Sequence, residues 1–103
     1  MRARWKPLKR KETINIRNLL YEAGYEEIEL FVSRQFDKAI IGVVDQHGMR
    51  KVVYDFEKMV ELMHQRSGIP REEAREAVEH NINIAMEYMD NPPIIMYRVE
   101  RLL

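Results

Sequence analysis

Imidazole serves as metal ligand, general acid and general base near neutral pH, so the three histidines are the first residues to weigh for chemistry. His47, His64 and His80 stand 17 and 16 residues apart. No two share a helical turn, and no metal-ligand spacing is present. His80 follows Glu76 by four residues, which on a helix would bring two ligands onto one face. The same spacing is routine on solvated helix surfaces, and that reading is preferred. His47, close to Asp45, falls in a turn with no cleft implied. Ser33 and Ser67 are the only serines, and neither sits in a nucleophile-elbow pattern. Gly24, Gly42, Gly48 and Gly68 are scattered singly, so there is no glycine-rich phosphate loop. The chain has no cysteine, which excludes a disulfide scaffold, a thiolate zinc site and a cysteine nucleophile. Its 17 acidic side chains offer many spatial pairs, but sequence marks none of them as catalytic. No catalytic residue, metal ligand or cofactor is assigned. A small hydrolase or nuclease would need a carboxylate cluster and a divalent ion, and an enzyme is the minority reading.

Charge distribution carries more information than the neutral total of 17 basic and 17 acidic residues. Arg2, Arg4, Lys6, Lys9, Arg10 and Lys11 give the first eleven residues six positive charges and no acid. The remainder holds 11 basic and 17 acidic residues, a net of −6. Residues 1–11 therefore read as a flexible basic arm on an acidic domain spanning 12–103. Such an arm suits nucleic-acid binding through counterion release, with Trp5 available to stack on a base. It equally suits an arm that folds back on its own body, with Trp5 over an apolar patch.

Four further residues are candidates for contact with a partner. Asn81 lies between Val78 and Ile82 on an otherwise apolar helical stripe. It is either a polar anchor for a partner or a satisfied buried amide. Tyr54, Tyr88 and Tyr97 stand near element ends, as an interface patch or as rim residues over the core. Met59, Met63, Met86, Met89 and Met96 are read mainly as core filling.

These residues need a scaffold, and the length bounds it. A chain of 103 residues fits one domain. It is long enough to bury about 65% of its unfolded surface without a metal or a crosslink. No apolar run reaches the ~18 residues of a membrane span, and no apolar stretch of a signal peptide follows the basic N-terminus, so a cytoplasmic location is expected.

Glu12 to Gly24 predicts a first helix, with Asn15 as its N-cap and Ile16, Leu19, Leu20 and Ala23 at helical spacing. Residues 26–36 fit two templates: Ile28, Leu30 and Val32 alternate as in a strand, while Ile28, Phe31 and Val32 share a helix face. Lys38 to Val44 and Arg50 to Tyr54 predict a β-hairpin closed at Asp45-Gln46-His47-Gly48, with Gly48 taking a positive φ. Gly42 marks either a bulge or a close approach. Asp55 should cap a helix that ends at Ser67-Gly68, and Pro70 should open another that runs to Met89. Asp90-Asn91-Pro92-Pro93 stops that helix, and Ile94 to Val99 forms a closing strand. The expected fold is α+β. Its sheet is three-stranded and mainly antiparallel, with the hairpin at about 38–54 and a closing strand at about 94–99, packed with three helices. Such a layer leaves one face or edge open, which a homodimer would cover economically.

Several of these pieces occur as an ordered set: Ala39-Ile40-Ile41-Gly42-Val43, Val53-Tyr54-Asp55, Lys58-Met59-Val60-Glu61, Glu73-Ala74, Asn81 and Pro93-Ile94-Ile95. The set spans a little over half the chain. It resembles a group of small uncharacterised proteins of tailed phages and of bacterial or prophage genomes. The resemblance implies no activity, cofactor or site residue, and the basic arm lies outside it. The expected function is that of a non-enzymatic protein-interaction module, a phage- or prophage-type accessory factor that binds a host or viral protein. The alternative is a nucleic-acid-associated factor that uses the arm.

Overall fold

In the computed structural model the structure describes residues 15–102, so the basic arm and its candidate nucleic-acid contacts at Arg2, Arg4, Trp5, Lys6, Lys9, Arg10 and Lys11 lie outside the described residues. The chain runs through α1 (Ile16–Glu22), a 3-10 helix (Arg34–Ala39), β1 (Ile40–Gln46), β2 (Met49–Asp55), α2 (Phe56–Ser67), α3 (Arg71–Met86), β3 (Ile94–Met96) and a second 3-10 helix (Val99–Leu102). This is the small α+β fold expected: the described residues form three α-helices and a three-stranded sheet in the order β1-β2-β3. The core is built from Val52 and Tyr54 of β2, Phe56, Met59 and Val60 of α2, and Ala74, Val78 and Ile82 of α3.

The hairpin forms where the sequence places it. His47 and Gly48 both take positive φ, 53° and 85°, as a two-residue turn of the mirror-image type I requires to match strand twist. The Asp45 side chain accepts the Gly48 amide proton at 2.9 Å and steadies that turn. Register shifts between Ile40 and Gly42, so the glycine marks a bulge. Among the described residues nothing lies within 4 Å of where its Cβ would be, so none of them makes the close approach.

β2 passes into α2 without a loop. Asp55 ends the strand, and its carboxylate accepts the amide protons of Glu57 and Lys58. Arg98 clamps the same carboxylate, with Nη2 at 2.6 Å. At the other end of α2, Gly68 adopts a left-handed φ of 73° and its amide donates to the His64 carbonyl. The His64 ring stands 2.6 Å from the Ile69 carbonyl, so Nδ1 carries the proton and the ring staples the turn into α3. Pro70 stands immediately before Arg71, the first residue of α3, rather than inside the helix.

The sheet is mainly antiparallel as expected, its longer ladder joining β1 and β2, while the short β3 runs parallel to β2 with Val53 opposite Ile94. The cause is the return after α3. Asn91 Nδ2 donates to the Arg50 carbonyl at 2.9 Å and Lys51 Nζ to the Pro92 carbonyl at 3.2 Å, so the chain re-enters beside the start of β2 and follows its direction. Two expectations, the length of the closing strand and the form of residues 26–33, need correction. β3 stops at Met96, because Tyr97 packs on the Phe56 ring at 4.9 Å and Arg98 turns to Asp55. Residues 26–33 are neither helix nor strand, and a 3-10 helix follows from Arg34.

Candidate functional site

The irregular segment before the 3-10 helix owes its shape to side chains that replace a backbone ladder. Phe31 donates its amide proton to the Tyr54 hydroxyl at 3.1 Å, and its carbonyl accepts from Arg17 Nη2 at 2.8 Å. The Phe31 and Tyr54 rings lie 4.7 Å apart. Arg17 also holds Asp37 through two hydrogen bonds of 2.8 and 3.0 Å, tying α1 to the 3-10 helix. That contact raises the Arg17 pKa above its ordinary value. Burial pushes the Tyr54 phenol up to about 12, outweighing the Phe31 amide that donates to its oxygen and acts in the opposite direction.

With Phe31 drawn into the core, its neighbour must face outward. Val32 is 95% exposed, an unusual position for a β-branched apolar residue. Across from it stand Ile84 near the end of α3 and Tyr88 in the turn just past that helix, exposed by 46% and 84%. Between the two walls runs an apolar groove. One depression, of about 250 Å3, has Phe31, Phe36, Met59 and Ile82 at its base, with Ser33, Gln35 and Asn81 as polar lining. A second, lined by Glu29, Leu30, Tyr88 and Met89, continues from it and shares Phe31, Val32 and Ala85. The groove is thus an extension of the core that reaches the surface.

The structure separates the four partner candidates. Asn81 and Tyr88 both line the groove. Asn81 is exposed, not a buried amide, because the buried stripe of α3 narrows to Ala74, Val78 and Ile82. Tyr54 is wholly buried and presents no surface to a partner; it supports the groove from below. Tyr97 is 56% exposed but packs on Phe56, outside the groove lining.

Sequence reasoning missed Val32 and Ile84. For Ile84 a signal existed, since it is an apolar residue off the stripe formed by Ala74, Val78 and Ile82. Val32 carried none, because its exposure depends on the Phe31–Tyr54 bond across 23 positions. Asn91 was read only as a helix stop, yet it pins the return to β2.

Among the described residues no group of three or more His, Asp or Glu side chains is arranged to hold a metal ion. None of their helices is long and apolar enough to cross a membrane. In comparisons with known proteins, no family model, no curated protein and no solved structure matches the chain.

Proposed function

We propose that the chain is a non-enzymatic protein-interaction module that holds an apolar segment of another protein in the groove between residues 29–36 and α3. One observation carries this reading: Val32 and Tyr88, exposed by 95% and 84%, both line a depression that continues from one floored by the core residues Phe31, Phe36, Met59 and Ile82. Apolar side chains raised around a concave apolar floor mark a site where burial on binding is favourable. Tyr88 contributes large contact area at little entropic cost, and Asn81, Ser33 and Gln35 supply hydrogen bonds that fix orientation. The role fits a phage- or prophage-type accessory factor that engages a host or viral protein, in line with the ordered resemblance from Ala39 to Met96.

Selection of displayed random peptides tests the reading. Peptides with an apolar core should enrich on the wild-type protein and fail on a Val32→Asp, Tyr88→Glu variant. Absence of enrichment, or peptides indifferent to the variant, overturns it.

A homodimer is a second reading and uses a different surface. By register, Val44 and Met49 share the sheet face opposite Val52 and Tyr54, and they are exposed by 39% and 50%. A two-fold contact there would cover both. Light scattering should then report a dimer that Val44→Arg converts to monomer, whereas a wild-type monomer at high concentration overturns it.

A further inference from the structure

A second cleft lies between the first 3-10 helix and α2, and its character is the reverse of the groove's. Arg34 and Lys38 line it from one side and Arg66 from the other, with Gln35 and Gln65 beside them. We propose that Arg34, Lys38 and Arg66 form a docking site for the phosphodiester backbone of a nucleic acid.

Three exposed cations converge on a depression of about 360 Å3 in a body that is otherwise acidic. Among the described residues, none of the three is in an ion pair. The neighbouring acids are engaged elsewhere: Asp37 is held by Arg17, while Glu61 faces Lys58 and accepts from Gln65. Arg66 near the C-terminal end of α2 complements the helix dipole. That role does not explain Arg34 and Lys38, which belong to another element.

Like charges repel when brought together without a counterion, so such a cluster is best satisfied by a polyanion. Two guanidinium forks match the paired oxygens of a phosphate. The amides of Gln35 and Gln65 both donate and accept, which suits sugar and base edges better than the acceptor-only side chains of an acidic peptide. The six cations among residues 1–11 favour the same class of ligand. The cleft meets the apolar groove at Gln35 but shares no other lining residue with the first depression, so the two proposals stand independently.

Fluorescence anisotropy of a short labelled DNA duplex, and of either strand alone, measured across a salt series with the full chain, tests the assignment. Each lost phosphate contact lowers the slope of log K against log salt by about 0.9 on duplex. Replacing Arg34, Lys38 and Arg66 together by Gln should lower it by roughly 2–3 and weaken binding roughly a hundredfold near 0.1 M salt. Arg34→Lys with Arg66→Lys should keep most of the slope, and Arg71→Gln, a lone exposed cation, should change little. All these side chains are exposed, so an unchanged circular dichroism spectrum is expected throughout. Three outcomes overturn the proposal: no binding by the wild type, an unaltered slope in the triple variant, or equal competition by a polyglutamate peptide. The second would leave binding to the arm alone, and the third would point to an acidic protein partner.

Discussion

The Tyr54 hydroxyl accepts the Phe31 amide proton at 3.1 Å while the two rings lie 4.7 Å apart. One core residue therefore fixes both the backbone and the side chain of the position before Val32. The exposed lip of the groove is thus set by a bond formed in the interior.

Tyr54→Phe should show this coupling. It leaves the Phe31 amide without its acceptor, at a cost of about 1–3 kcal/mol. Burial of the phenol, which raises its pKa against the opposing Phe31 amide, also makes stability depend on alkaline pH. Below pH 10 the phenol is protonated in folded and unfolded chains alike, and its contribution is complete. As pH rises from 10 towards the folded value of about 12, only the unfolded chain gives up the proton, so stability falls. Urea midpoints of the wild type should drop between pH 9 and pH 11, and the Phe variant should drop less. Parallel losses would contradict the account.

Asp55 does two jobs, capping α2 and receiving Arg98. Asp55→Ala removes the cap and the ion pair together, for a loss of about 2 kcal/mol. Arg98 is 41% exposed on its side chain, so Arg98→Ala should cost less than Asp55→Ala, the cap remaining. Urea denaturation of both variants checks the order, and a larger effect at Arg98 would show that the pair, not the cap, dominates.

His47 holds a φ of 53° with its side chain exposed. Asparagine tolerates that conformation better than histidine does. His47→Asn should stabilise by about 0.5–1 kcal/mol, raising Tm by roughly 3–6 °C. An unchanged or lower Tm in a thermal melt would contradict the strain assigned to this turn.

Groove walls and groove floor should respond differently. Val32→Ser with Tyr88→Ser removes exposed side chains and should leave stability within about 0.5 kcal/mol. Met59→Ala, at a wholly buried position beneath the groove, should cost about 2–5 kcal/mol. The wall variant should also bind an anilinonaphthalene dye less, by about half, because an apolar patch has been removed. Equal dye fluorescence in wall variant and wild type would show that the groove is not an accessible apolar surface.

The parts of the fold legible in sequence were those governed by local chemistry. The turn at His47-Gly48, the Asp55 cap and the Gly68 stop each depend on residues a few positions apart, and each lies where the pattern indicated. Three features depended on distant partners and were not legible. Residues 26–33 fit two periodicities because neither governs them; Arg17 and Tyr54 do. The direction of β3 is decided by Asn91 and Lys51, which are far apart in sequence. Of the candidate site, Asn81 and Tyr88 were identified, but the wall formed by Val32 and the basic cleft joining Arg34 to Arg66 exist only once the elements have packed.

The central claim is that the groove beside α3 holds a partner protein. A photoreactive phenylalanine analogue placed at Tyr88, just past α3, and separately at Glu79 within α3, tests it most directly in cells that make the protein naturally. Both positions are exposed, but only Tyr88 lines the groove. Irradiation should give one discrete adduct with a different protein from position 88 and none from 79. No adduct at 88, the same adducts from both positions, or an adduct with the mass of two copies of this chain would contradict the account.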